Sequence, residues 1–273
     1  MDIIIIIALL LYMLSAAGYF AYLFFQKNYL HRAGYFLILA GFLFHSAKIV
    51  YDFVESGHIP VRNLHETLSV AGWVAAGFFL IFQYKYKLRV LGIYAAPLIA
   101  VVMLAVSQVP NQPVQAQSIF KSFWLFSHVI AIFVGEAAFA LACGIAVLYI
   151  LQENAIKTKK PGFFFRRLPS LEMLDNTGYV CIVVGFTMVT FGLITGFVYA
   201  KTLWGKFWSW DPKEVWSGIT WLFYAALLHE RLTAGWRGKK AAVMAIIGFA
   251  VVLFTFFGVN FLLKGHHGAF TTF

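Results

Sequence analysis

Eight stretches of this chain stay apolar for about twenty residues, the length an α-helix needs to cross the hydrocarbon of a bilayer. They fall near 3–25, 34–54, 66–84, 90–107, 122–150, 173–199, 213–231 and 241–263. Hydrophobic residues make up 62% of the 273 and charged residues only 12%. A water-soluble domain of this size has too little interior to hide that much apolar surface, so the expected fold class is an all-α polytopic membrane protein. The connections leave no room for a separate soluble domain. Residues 1–273 are therefore expected to form a single bundle of about eight transmembrane helices. Only Met1 and Asp2 precede the first run, without the basic n-region of a secretory signal, so that run is expected to be a retained span.

The basic residues orient the bundle. With the N-terminus outside, the inner loops are 26–33, 85–89, 151–172 and 232–240. These loops and their flanks hold fourteen of the 21 Lys and Arg residues; six lie on the outer side, and Lys48 is within a span. That bias predicts both termini outside; the plasma membrane of a bacterium is the default expectation, with a thylakoid membrane as the alternative. The formal net charge of +10 then expresses topology and contact with anionic lipid, and nucleic-acid binding is not indicated. Cys143 and Cys181 both sit inside apolar runs and form no Cys-x-x-Cys, so neither a disulfide nor a thiol-redox site is expected. Lys48, Asp52, Glu55 and Glu136 lie in or near spans and are expected to face the bundle interior, because lipid solvates charge poorly.

Five of the eight tryptophans fall between Trp204 and Trp221, and residues 204–216 read Trp-Gly-Lys-Phe-Trp-Ser-Trp-Asp-Pro-Lys-Glu-Val-Trp. One or two tryptophans at this depth would be an ordinary interfacial belt. Five, interleaved with Gly, Asp and Glu, exceed what a belt requires. Asp211, Pro212 and Glu214 read as N-cap, N1 proline and N3 carboxylate of the next helix, which pins the external Trp-rich loop (200–214) at one end. Asn63 and Glu66 have the same capping-box spacing at the start of the third run.

A broad flat aromatic surface beside a membrane suits a broad flat apolar ligand, and haem is the ligand that also needs histidines. His128 near the outer start of the fifth run and His267 just beyond the eighth fall on the same side as the loop. Two neutral imidazoles on opposite sides of an iron would give bis-His ligation. A histidine at a membrane edge, taken singly, is as readily a solvated boundary residue. His31, His58 and His65 are read that way.

The segment Trp204-Gly-x-x-Trp208-x-Trp210-Asp211-x-x-Glu214 resembles the tryptophan-rich signature of the haem-handling membrane proteins of cytochrome c assembly, the superfamily of CcsA (ResC), CcmC and CcmF. Four other stretches resemble the CcsA proteins in particular. They are Pro60-Val-Arg-Asn63-Leu-His-Glu66-Thr-Leu, Trp124-Leu-Phe-Ser-His128-Val, Trp221-Leu-Phe-Tyr-Ala-Ala-Leu-Leu-His229-Glu-Arg231 and Gly258-Val-Asn260…Gly265-His-His267. The resemblance implies a component of a cytochrome c synthase that binds haem b at the external face. With a CcsB (ResB) partner, it would deliver that haem for thioether attachment to Cys-x-x-Cys-His motifs of apocytochrome c. It further implies that His128 and His267 ligate the iron outside and that His229 binds haem earlier on its route. Trp204, Trp208, Trp210 and Asp211 would belong to the cofactor-binding loop, with Asp211 and Glu214 acting mainly through cap geometry.

The family usually carries Gly-Leu-His-Ser-Tyr after its last span, where this chain has Gly265-His266-His267-Gly268-Ala269, so His266 stands as an alternative to His267. The second ligand beside His229 is either a partner's histidine or His45. Two rival functions stay open: a haem transporter of CcmC type that passes haem to a chaperone, and a permease or scaffold without haem.

Overall fold

Each of the eight apolar runs is helical in the computed structural model of the chain, which describes residues 3–111, 122–158, 162–163 and 165–263. The helices are α1 (Ile3–Phe25), α2 (Asn28–Ser56), α3 (Leu64–Tyr86), α4 (Gly92–Gln108), α5 (Phe123–Lys157), α6 (Leu171–Trp204), α7 (Pro212–Thr233), α8 (Lys239–Leu253) and α9 (Val259–Leu262). Phe254–Gly258 join α8 to α9 through one turn of wider π-helix. No strand occurs among the described residues.

Among the described residues, seven helical segments are long and apolar enough to cross a membrane, which makes this a multi-pass membrane protein. The remaining long helix, α7, was also expected as a span. Its 22 residues reach about 33 Å, but Lys213, Glu214, His229, Glu230 and Arg231 dilute its apolar character at both ends.

The described residues cluster into two compact units, one ending at Phe126 and the other beginning at Ser127. In the first, α1 lies along α2 and α4, and α3 packs on α4 and α2. Ser15 Oγ donates to the Gly34 carbonyl at 2.7 Å, satisfying a hydroxyl that lipid could not. The α3 cap forms as its spacing predicts: Asn63 accepts from the Glu66 N–H at 2.9 Å. The Glu66 carboxylate, however, turns to Arg62, accepting from its backbone N–H at 2.8 Å and from its guanidinium. Lys48 and Asp52 pair within α2. Two expectations are corrected here. Glu55 is exposed, in the last turn of α2, and His58 is buried (1% exposed) beside Arg62 instead of facing the headgroups.

In the second unit α5 and α6 interlock through glycine notches. Cβ atoms built at Gly192 and Gly196 would lie 2.7 Å from Ile132 and 2.6 Å from His128, so only glycine lets these α5 side chains sit against the α6 backbone. Close approach through small residues is the main source of helix association where lipid is as apolar as leucine. Phe139 of α5 stacks on Tyr224 of α7 with ring centroids 3.5 Å apart and planes 4° from parallel. At the far end, Arg231 of α7 makes two hydrogen bonds to Asp175 of α6 (3.1 and 2.6 Å), and Asp175 also accepts from the Gly238 N–H at 2.8 Å.

Candidate functional site

The start of α5, the end of α6, the start of α7 and the π-turn meet at one end of the second unit. His128, in the second turn of α5, is half-buried. Its Nδ1 lies 2.7 Å from the Gly192 carbonyl oxygen, and its ring fills the space above Gly196. A carbonyl only accepts, so Nδ1 carries the proton, and in the neutral imidazole the lone pair then lies on Nε2. A backbone acceptor that fixes the tautomer and ring plane in this way is what metal-ligating imidazoles ordinarily have.

The next residue of α6 after Gly196, Phe197, meets Trp208 edge-on at 5.7 Å between ring centroids. Trp208 in turn meets Trp210 at 5.7 Å and 89°. Consecutive residues of α6 thus seat the imidazole and the first loop indole. The irregular segment is shorter than its 200–214 expectation, because α6 runs on to Trp204 and ends where Gly205 takes the left-handed conformation (φ +73°). At the other end the capping box forms as expected. Asp211 accepts from the Lys213 N–H at 2.9 Å, and Glu214 accepts from the N–H groups of Ser209 (2.8 Å) and Asp211 (3.3 Å).

Held between these anchors, Trp210 has φ +60°, a conformation rare for a bulky side chain, and is 77% exposed. Strain of this kind costs on the order of 1–3 kcal/mol and persists only where neighbours enforce it. Trp208 is more enclosed, and its indole N–H is buried with no hydrogen-bond partner among the described residues. Buried donors are rarely left in that state without a ligand or water to meet them.

The other tryptophans of the cluster do different work. Trp216 packs against Phe254 of the π-turn (4.5 Å), and Trp221 donates to Thr190 Oγ1 at 2.8 Å while stacking on Phe186. They build the unit; Trp208 and Trp210 line its end. Trp204 closes α6 at the edge of the loop.

The two mid-chain histidines differ sharply. His45 is fully buried in the first unit, with Nε2 2.9 Å from Ser69 Oγ and Nδ1 3.5 Å from Tyr12 Oη. Both nitrogens are occupied by its own unit. His229, four residues from the end of α7, is exposed on the surface of the chain. His266 and His267 lie outside the described residues, so of the expected external pair only His128 has a described position.

Sequence reasoning missed Gly192 and Gly196, the residues that set the His128 ring. The signal was there: Gly185, Gly192 and Gly196 recur at the spacing of one helix face. It also left the π-turn unseen. There Thr255 meets Thr220 of α7 at 2.9 Å between hydroxyls. A π-turn inside an α-helix is frequent at functional sites.

Comparison with known proteins agrees with this architecture. The family described as "Cytochrome C assembly protein" matches residues 61–267. Among curated relatives, the "Cytochrome c biogenesis protein CcsA" of Guillardia theta is 35% identical over 233 residues, covering 78% of this chain and 77% of that protein. The protein of that name from Prochlorococcus marinus is 33% identical over 258 residues, covering 85% and 82%. Among solved structures, "Cytochrome c Heme Lyase CcmF" shares the fold at a TM-score of 0.67 and 17% identity, over 98% of this chain and 47% of that longer one. The family match runs from the cap of α3 through the His128 notch and the tryptophan loop. On that ground this multi-pass chain belongs to the cytochrome c assembly protein family, alongside the CcsA biogenesis proteins.

Proposed function

We propose that this chain is the haem-holding component of a cytochrome c synthase, working with a CcsB/ResB-type membrane partner on apocytochrome c. Haem is a substrate here, and the protein's task is to hold it while a cysteine S–H adds across each vinyl group. Sulfur bonds to one vinyl carbon, the hydrogen goes to the other, and no electrons are gained or lost overall. Such a reaction is accelerated mainly by positioning. His128 offers one axial ligand and His267, or its neighbour His266, the second. Trp204, Trp208 and Trp210 flank the macrocycle, with Asp211 and Glu214 keeping the loop in shape.

The observation that carries this reading is the seating of His128: an imidazole oriented by a backbone carbonyl, in a glycine notch adjoining an indole whose N–H has no acceptor among the described residues. The position of His229 supports a second, inner site completed by the partner, since its side chain faces out of the chain and His45 is engaged elsewhere. Relatives in both cyanobacteria and algae suit either a bacterial plasma membrane or a thylakoid one.

The test is an absorption spectrum of the chain co-purified with its partner. A bis-His haem signal lost on His128→Ala, together with loss of cytochrome c assembly, is the expected result. An unchanged spectrum in that variant removes the assignment. A signal that survives without any partner-dependent attachment favours a transporter that hands haem on.

A further inference from the structure

Lys213 belongs to the first turn of α7, yet its side chain runs into the unit. Its Nζ lies 5.8 Å from the centre of the Phe256 ring in the π-turn. Phe256 meets Phe133 of α5 at 6.2 Å between ring centroids, and Glu136 lies one turn further along α5. Glu136 and Lys213 are electrostatically coupled, and Glu136 is the stronger of the two negative neighbours that Lys213 feels, Asp211 being the other. Asp211 already caps α7 by accepting from the Lys213 N–H. As whole residues, Glu136 and Lys213 are both intermediate in accessibility.

Opposite charges set among phenyl rings are a poor means of joining two helices, because desolvating the charges offsets most of their attraction. They are a good means of keeping a cation ready where an anion is to arrive. The same end of the unit carries the buried Trp208 indole N–H, which has no acceptor among the described residues. A ligand bearing carboxylates suits both.

Resting on the haem reading above, we propose that Lys213 receives a propionate carboxylate of the bound macrocycle. Glu136 is the internal counter-ion that holds the ammonium in the empty protein and competes with that carboxylate. The arrangement makes free carboxylates part of what the site recognises, in addition to iron and ring.

The experiment is a titration of the full complex with haem and, separately, with haem dimethyl ester, whose propionates are capped, followed by the shift of the main absorption band. A charge-assisted hydrogen bond corresponds to about a ten-fold preference for haem over the ester in the natural protein. Lys213→Gln abolishes that preference and leaves ester binding unchanged, whereas Lys213→Arg keeps it. Glu136→Gln moves the other way, tightening haem binding several-fold without affecting the ester. Equal losses for both ligands in Lys213→Gln and Glu136→Gln would mean a purely structural pair and overturn the proposal. A natural protein that binds both ligands with bis-His spectra and no preference would overturn the carboxylate receptor and spare the haem reading. Absence of haem binding altogether would remove both.

Discussion

The imidazole of His128 occupies the space in which a side chain at residue 196 would begin: a Cβ there would lie 2.6 Å from Nδ1 and 2.8 Å from Cε1. The proposed axial ligand on α5 is therefore set by the absence of a methyl group on α6, together with the Gly192 carbonyl that holds its N–H. Gly196→Ala has to rotate or displace the ring, at a stability cost of about 1–3 kcal/mol typical of an overpacked contact. The expected outcome is a folded protein with a lowered melting temperature and a weakened or high-spin haem spectrum, partly restored by added imidazole. A bis-His spectrum identical to that of the natural protein would show that the notch does not position the ligand.

Trp210 offers a test in which stability and function part company. Its φ of +60° suits glycine far better than tryptophan, and its ring is mostly exposed. Trp210→Gly is expected to keep stability or raise it by about 1 kcal/mol, while haem retention falls. Thermal denaturation and pigment content of the same preparation measure the two effects.

The loop itself depends on the α7 capping box. Asp211→Ala removes the acceptor for the Lys213 N–H, and a lost N-cap costs about 1 kcal/mol. Glu214→Ala releases Ser209 as well as Asp211. The second substitution is expected to impair haem binding more than the first, because it frees the segment carrying Trp208 and Trp210 as well as the helix end. Parallel haem titrations of the two variants rank them.

His45 and His229 should respond in opposite ways. His45→Ala opens a void in the core of the first unit and strands Ser69, a change expected to cost about 2–4 kcal/mol. Its haem spectrum should be unaltered. His229→Ala removes an exposed side chain, so melting is expected to stay within about 0.5 kcal/mol of the natural protein. The haem bound with the partner present should fall. Melting curves and spectra with and without the partner decide.

Asp175 ties α6, α7 and the turn before α8 together through Arg231 and Gly238. Asp175→Ala leaves the guanidinium, 8% exposed, without its carboxylate, and breaking such a buried pair costs about 3–5 kcal/mol. The expected loss shows in thermal denaturation, with the His128 end of the unit retaining its spectrum at temperatures below the transition.

The linear chain determined that eight apolar runs become helices, that Asn63 and Asp211 begin α3 and α7, and that a tryptophan loop is fastened at Asp211. These depend on hydropathy and on hydrogen bonds between residues a few positions apart. Tertiary structure alone decided which way each candidate side chain faces. His45 and His229 both sit in apolar runs, yet one is locked in a core and the other lies bare on the surface. Trp216 and Trp221 fill the unit while Trp208 and Trp210 line its end. A membrane helix is apolar on every face, so its hydropathy gives no sign of which face meets a neighbour. That choice is made by contacts such as His128 with Gly192, 64 residues away in the chain.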